Sequence, residues 1–167
     1  MRRRSEVQLS LIVELAEVLS RARIRFWLRG GWALDFHLGR VRSGHADIDG
    51  VTWLRHRERI RRLLVARGFS VVPGYREPQL VLEKHGEEVS FLFVVRQGSE
   101  IVVPSYEAWP LRPQALPISS KALAGVSCRV VSVEELLHEK LLHHEWSGRP
   151  LRPKDRANVE LLRSLGG

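Results

Sequence analysis

Two carboxylates, Asp47 and Asp49, stand two residues apart in a segment where polar and apolar residues alternate. Such alternation predicts a β-strand, in which residues two apart leave the same face. Carboxylates held close together repel each other unless a cation neutralises them. Mg²⁺ suits such a pair, because it takes oxygen ligands and shares them with substrate phosphates. An acidic strand end without a metal is the other interpretation, and the pattern alone leaves both open.

A glycine pair, Gly30 and Gly31, precedes these carboxylates at the junction of a predicted strand and a predicted helix. Glycines there let backbone N–H groups approach a phosphate, and the helix N-terminus adds a positive dipole. A tight turn that needs positive φ would explain the pair as well. The sequence contains no P-loop motif. Taken together, glycines and carboxylates predict a site that holds a nucleoside triphosphate beside Mg²⁺, as phosphoryl-type transfer requires.

The surrounding sequence predicts the elements that position these residues. Apolar residues at helical spacing predict helices over 6–23, 32–39, 56–68, 133–146 and 154–165. Alternating and β-branched segments predict strands at 24–28, 46–53, 70–73, 78–86, 87–95 and 128–132. The fourth and fifth of these strands form a hairpin around His85 and Gly86. Ser132 and Glu135, three residues apart, predict a capping box at the start of the fourth helix.

The expected fold class is α/β, more narrowly α+β, with a short mixed sheet flanked by helices. We predict a core over 1–103, a proline-rich connection with the last strand over 104–131, and a helical C-terminal segment over 132–167. At 167 residues, these parts are expected to form one compact domain.

Composition restricts the class of protein. No apolar run is long enough to span a bilayer, and charges interrupt the apolar part of the N-terminus, which favours an amphipathic helix over a signal peptide. The single cysteine, Cys128, excludes an internal disulfide and fits the cytoplasm. The net charge of +8 attracts phosphates, nucleic acid or acidic proteins, or else reflects a solvated arginine-rich surface.

The segment 28–53 contains "RGGWALDFHLGR" followed by "HADID". It resembles the signature of the DNA polymerase β-like nucleotidyltransferase superfamily, and more narrowly that of the small nucleotidyltransferases that modify aminoglycosides and lincosamides. The residues that match their pattern in order and spacing are Gly30, Gly31, Trp32, Asp35, Leu38, Gly39, Arg40, His45, Asp47, Ile48 and Asp49. Outside this segment, only the length and the order of elements agree.

The resemblance implies the fold of that superfamily and a reaction. A nucleoside monophosphate, usually AMP from ATP, is transferred to a hydroxyl of a small molecule such as an antibiotic, and pyrophosphate is released. Carried over to this chain, the resemblance implies that Gly30 and Gly31 hold the triphosphate. It implies also that Asp47 and Asp49 bind Mg²⁺.

Basic residues are expected to complete the nucleotide site. Relatives often have arginine at the position of Ser43, and Arg42 or Arg40 is expected to replace it here. Lys154, in a segment that resembles a common helix start of the family, is assigned to the departing pyrophosphate, with a surface lysine as the alternative. For Lys140, the helical pattern indicates only that its stem packs.

The family's third carboxylate, which binds a second metal or acts as general base, has no direct counterpart here. Its expected position holds Ser90, and serine needs an activator to act as a base near neutral pH. Two alternatives stay open: Glu88, two residues earlier on the same strand face, takes the role, or the site transfers slowly or not at all. His45 is interpreted as a residue that orients the loop or the first aspartate.

Three hypotheses follow. The first is a Mg²⁺-dependent nucleotidyltransferase that acts on a small-molecule hydroxyl, as a monomer or a homodimer. The second is a degenerate member that binds nucleotide with weak or no transfer, or that acts on a protein or RNA. The third, a basic RNA- or DNA-binding domain, lacks any RNA-binding signature. The net charge of the protein argues against an aminoglycoside acceptor, because a protein with a charge of +8 repels polycations unless it forms a local acidic pocket.

Overall fold

A computed structural model describes residues 2–42 and 44–166, with the backbone alone for Trp146. Ser43, at the position where relatives often have arginine, lies outside the described residues. The described residues form five α-helices: α1 (Arg2–Arg21), α2 (Gly30–Leu38), α3 (Arg57–Val65), α4 (Val133–Ser147) and α5 (Pro153–Leu165). They also form eight strands: β1 (Phe26–Arg29), β2 (Ile48–Trp53), β3 (Ser70–Val71), β4 (Leu80–Lys84), β5 (Glu87–Gln97), β6 (Glu100–Val102), β7 (Ser120–Leu123) and β8 (Val126–Arg129).

The main sheet is mixed, as the sequence predicts. Its strand order is β1-β2-β5-β4-β3, and β6 pairs with the far end of β5. β2 and β5 are parallel neighbours, and the other pairs are antiparallel. The strands β7 and β8 form a separate hairpin, and the chain after it returns to β1, where Val131 N–H donates to Leu28 O over 2.9 Å. Because of this hydrogen bond, α4 begins beside the end of β1.

One face of the sheet and α1 form most of the core. Successive strand residues point to opposite faces, so one face collects the large apolar side chains. The buried residues of that face include Phe26, Leu28, Ile48, Phe91 and Phe93. Helix α1 buries Leu11, Ile12, Leu15 and Leu19, at helical spacing. On the opposite face, Trp27 and Val51 are buried, but the end of β1, β2 and β5 nearest Gly30 carries the polar residues Arg29, Asp49 and Ser90.

The predicted turns and caps explain two connections. His85 and Gly86 both have positive φ, of 56° and 78°, as the two-residue hairpin turn between β4 and β5 requires. Ser132 Oγ caps α4 by accepting from Glu135 N–H over 3.1 Å. The Glu135 carboxylate does not close the predicted capping box. It accepts instead from the Arg112 N–H over 2.7 Å, and so ties the proline-rich connection to α4.

The strands β6 and β7 were not predicted from the sequence. Among residues 2–42 and 44–166, none of the helices has both the length and the apolar character that a bilayer crossing requires.

Candidate functional site

The glycine pair lies where β1 turns directly into α2. Gly30 has φ of +66°, and a Cβ built there would lie 3.0 Å from Oδ2 of Asp49. Gly31 has ordinary φ, but a Cβ there would lie 2.3 Å from Nδ1 of His45. Both positions therefore require glycine for local steric reasons. No side chain caps the N-terminus of α2 in the described part of the chain, so its first N–H groups are available to an anion.

Asp49 lies between two strands that set its surroundings. It is opposite Arg29 of β1 and opposite Ser90 of β5. Burial raises the pKa of Asp49 to about 6. The positive charge of Arg29 opposes this rise, and the nearby carboxylates of Asp47 and Glu139 add to it. A partly buried carboxylate whose pKa is raised by a neighbouring carboxylate is the kind of group that a divalent cation stabilises in its ionised form.

The oxygen ligands of Asp47 and Asp49 therefore fit Mg²⁺. In the parts of the chain that the structure describes, no group of three or more His, Cys, Asp or Glu side chains is placed to hold a metal ion. Any further ligands would come from substrate phosphates and water, which is usual for this ion.

The loop before Asp47 is held by a buried polar network. Asp35 is fully buried and accepts from Arg42 Nε and from His45 Nε2, both over 2.7 Å. The Trp32 ring packs against the imidazole of His45, with centroids 4.8 Å apart. The side-chain amide of Gln8 donates to the His45 carbonyl over 3.1 Å. His45 is thus bound on several sides, and its ring orients the loop, as the sequence interpretation has it.

Arg42 links this network to the C-terminal helices. Its guanidinium donates to Asp35 and, over 2.9 Å, to Oδ1 of Asn158 in α5. Arg40 is exposed on the loop after α2. Lys154 is exposed in the first turn of α5 and does not line the cavity that contains Asp49. Of the three predicted basic residues, Arg42 is the one that hydrogen-bonds to a side chain of the motif within the described residues, and its partner there is the buried Asp35.

A cavity of about 210 Å³ lies between the Gly30 turn and the helices α4 and α5. We call it the first cavity; its lining includes Gly30, Asp49, Arg29, Glu139, Lys140 and Arg152. Lys140 Nζ and Arg152 Nε each donate to Asp155 over 2.7 Å. Burial alone would raise the pKa of Asp155, but these two hydrogen bonds hold it at about 2, so both cations stay anchored beside the cavity.

Glu88 and Ser90 occupy the same face of β5. Ser90 stands directly beside Asp49, and its Oγ accepts from the side-chain amide of Gln79 over 3.1 Å. Glu88 lies two residues earlier, opposite Glu83 of β4, and it does not line the first cavity. The sheet thus places Glu88 on the same face as Asp49 and two residues from its neighbour, while the position next to Asp49 holds a hydroxyl.

Sequence reasoning missed Arg29, Glu139 and Arg152. Arg29 pairs with Glu139 through Nε to Oε1 and through Nη2 to Oε2, both over 3.3 Å. Glu139 raises the pKa of Arg29 further above its usual range, against the effect of burial. The position of Arg29 directly before the glycine pair could have indicated a site residue. No feature of the sequence indicates that Arg29 pairs with Glu139, which lies more than a hundred residues later.

Comparison with known protein families decides the assignment. The model of the aminoglycoside-2''-adenylyltransferase family matches residues 11–162, which is most of the chain. The chain belongs to this family. The resemblance stated from the segment 28–53 is therefore confirmed, and so is the expectation that the protein is an enzyme of the nucleotidyltransferase class. No curated protein sequence gives a significant match.

Solved structures agree with the family in fold. The chain is 19% identical to ANT(2'')-Ia, solved with adenylyl-2''-tobramycin, with a TM-score of 0.81 over 96% of this chain and 90% of that one. It is 20% identical to the lincosamide antibiotic adenylyltransferase LnuA, solved with lincomycin, with a TM-score of 0.72 over 96% and 97% of the two chains.

A third structure, an antigenic nucleotidyltransferase-like protein from Paracoccidioides brasiliensis, is 18% identical with a TM-score of 0.59, over 96% of this chain and 77% of that one. At these identities, the three structures show the fold alone. The predicted fold class, a mixed sheet flanked by helices with a helical C-terminal segment, is confirmed.

Proposed function

We propose that this chain transfers AMP from ATP, with Mg²⁺, to a hydroxyl of a small molecule such as an antibiotic. The observation that carries the proposal is the position of the Gly30 turn, so close to Asp49 that a Cβ at Gly30 would lie 3.0 Å from its carboxylate, beside a first cavity lined by Arg29, Lys140 and Arg152. Membership of an adenylyltransferase family supports the same reaction class.

The triphosphate is assigned to the first cavity. The uncapped N-terminus of α2, with Gly30 and Gly31, offers N–H groups and a positive dipole to the phosphates. Lys140 and Arg152 add positive charge from the opposite wall, where Asp155 fixes them. These two residues are better placed for the departing pyrophosphate than Lys154, Arg40 or Arg42, which the sequence suggests for the nucleotide.

Asp47 and Asp49 are assigned as the Mg²⁺ ligands. When bound, Mg²⁺ supplies positive charge that neutralises the phosphate oxygens. Arg29 opposes the rise in the pKa of Asp49, and so favours the ionised carboxylate that a metal ligand needs.

In the reaction, the acceptor oxygen forms a bond to the α-phosphorus of ATP. The bond between that phosphorus and the oxygen bridging to the β-phosphate breaks, and pyrophosphate leaves. The acceptor's hydroxyl proton passes to a base, for which we propose Glu88, on the same sheet face as Asp49. Glu88 is two residues along β5 from Ser90, the neighbour of Asp49, so we propose that a water molecule carries the proton between the acceptor and Glu88.

A second candidate function is nucleotide binding with slow transfer. One observation favours it: the position beside Asp49 holds Ser90, whose hydroxyl is already engaged by Gln79. Ser90→Asp separates the two candidates. A large gain in AMP transfer would mean that the native site lacks its base, whereas no gain, together with loss of transfer in Glu88→Gln, would mean that Glu88 serves as the base.

The first test is calorimetric binding of a non-hydrolysable ATP analogue, with and without Mg²⁺. We expect binding that requires Mg²⁺ and that is lost in the double variant Asp47→Asn/Asp49→Asn. Glu160→Gln, at an exposed position of α5 that does not line the first cavity, is the matched control and should bind as the unmodified protein does. Failure of the unmodified protein to bind ATP or any other nucleoside triphosphate would overturn the proposal.

A further inference from the structure

A second cavity, of about 280 Å³, adjoins the first. The two cavities share Arg29, Glu139 and His143 in their walls. Leu92, which also lines the second cavity, lies two residues after Ser90 on β5, and so on the same sheet face as Asp49. A molecule bound in the second cavity would therefore lie next to phosphates bound in the first.

The wall of the second cavity is largely apolar and aromatic. The proline-rich connection contributes Tyr106 and Trp109, which are 48% and 41% exposed. The remaining apolar lining consists of Leu92, Val103, Leu111 and Leu142. Exposed aromatic side chains beside a cavity are typical of a surface that takes an apolar ligand.

The two carboxylates in this wall already have partners. Glu139 is paired with Arg29 through two contacts of 3.3 Å. Glu135 is buried and accepts from the Arg112 N–H; burial raises its pKa to about 7, so a part of the population is neutral near that pH. The cavity therefore offers little uncompensated negative charge to a polycation, in a protein whose net charge is +8.

One polar atom in this wall has no partner. Nε2 of His138 is a buried side-chain nitrogen without a hydrogen-bond partner, and among the described residues no other buried side-chain nitrogen or oxygen lacks one. Burial and Arg112 lower the pKa of His138, so its ring is neutral near pH 7. Nε2 itself is covered by protein atoms, and a rotation of the ring toward the cavity would let it exchange one hydrogen bond with a hydroxyl. An unpaired buried group of this kind is stabilised when a ligand supplies the missing bond.

We infer that the second cavity is the acceptor site, and that it takes a hydroxyl compound with an apolar body and no more than one positive charge, which hydrogen-bonds to His138. This inference rests on the proposed function for the reaction, but the binding of such a compound does not depend on transfer. It differs from what the family's name suggests, since an aminoglycoside is a polycation.

The test measures by calorimetry the affinity of the protein for two hydroxyl-bearing probes. Each probe is titrated once in the presence of the ATP analogue and Mg²⁺ and once in their absence. Lincomycin carries one amine and an apolar chain, and tobramycin is a polycation. We expect lincomycin to bind at least about tenfold more tightly than tobramycin. Tyr106→Ala and Trp109→Ala should each weaken lincomycin binding at least about fivefold, since aromatic side chains dominate such contacts.

Matched controls are available in the chain. Tyr75 is 45% exposed, like Tyr106, but does not line the second cavity, so Tyr75→Ala should leave lincomycin binding within about twofold. His138→Ala should weaken binding by a factor similar to that for Tyr106→Ala, and His85→Ala, in the distant hairpin turn, should not.

The outcomes are separable from those of the nucleotide test. Tighter binding of tobramycin, or binding of neither probe by a protein that binds the ATP analogue with Mg²⁺, overturns the acceptor assignment and leaves the nucleotide proposal intact. Binding of lincomycin that depends on Tyr106, in a protein that binds no nucleoside triphosphate, supports the acceptor assignment and overturns the proposed function.

Discussion

Gly31 faces the imidazole of His45 with no room between them for a methyl group. A Cβ at this position would lie 2.3 Å from Nδ1, and the ring cannot move away easily because Asp35, Trp32 and the amide of Gln8 surround the residue. We expect Gly31→Ala to lower the free energy of unfolding by about 1–3 kcal/mol, as overpacking does in a filled core. Urea unfolding of the two proteins measures the difference.

The control for this prediction is the same substitution in a His45→Ala background. Removing the ring removes the clash, so the cost of Gly31→Ala should become small there, because the φ at this position is one that alanine adopts readily. An equal cost in both backgrounds would mean that the glycine is required for a reason other than contact with His45.

At the same scale, sequence reasoning reached only part of the candidate site. It selected Gly30, Gly31, Asp47 and Asp49 because they are near one another in the chain. Arg29 and Glu139 were missed, since their pairing depends on how α4 packs over the end of β1. The assignments of Arg40 and Lys154 depended on position in a motif, and a motif does not say whether a side chain faces the cavity or solvent.

At the scale of elements, Glu135 makes the stability of α4 depend on pH. Burial raises its pKa from the ordinary 4.5 to about 7, against the opposing effect of the Arg112 N–H. Between these values the folded state binds the proton more tightly than the unfolded state, so stability decreases as pH rises from about 4.5 to about 7. Glu135→Gln keeps an oxygen for Arg112 and removes the charge. The free energy of unfolding of this variant, relative to that of the unmodified protein, should rise by up to about 3 kcal/mol between pH 5 and pH 8.

Urea unfolding at those two pH values, with Glu134→Gln as the control, checks this expectation. Glu134 is the exposed neighbour of Glu135 in the first turn of α4, so its substitution leaves the buried group in place. Parallel changes of the unfolding free energy with pH in all three proteins would show that Glu135 is ionised at little cost in the folded state.

The elements themselves were predictable where their side chains alternate or repeat over enough residues. The helices α1 and α4 and the strands β2, β4 and β5 all have such patterns. The strands β6 and β7 do not: β6 has three residues, and β7, Ser-Lys-Ala-Leu, contains no β-branched residue and is mostly exposed. β6 pairs with β5 and β7 pairs with β8, so each becomes a strand because of its neighbour, and the local residue pattern does not reveal this.

At the scale of the whole molecule, the net charge of +8 should act on the rate at which a nucleotide arrives. A positive field attracts a triphosphate over distances of the order of the Debye length, about 10 Å at 0.1 M salt. We expect the association rate of the ATP analogue to fall at least about tenfold between 0.05 and 0.5 M salt, with a smaller change in the dissociation rate. Stopped-flow measurements over this range separate the two rates.

The double variant Arg59→Gln/Arg62→Gln tests whether the field or direct contact is responsible. Both arginines are exposed on α3 and line neither the first nor the second cavity, and their replacement lowers the net charge from +8 to +6. If the field acts at a distance, the variant should bind the analogue more slowly at low salt, with an unchanged dissociation rate. An unchanged association rate would mean that the basic residues near Asp49, which include Arg29, Lys140 and Arg152, account for the attraction by themselves. The arginine-rich surface of α3 would then be merely solvated.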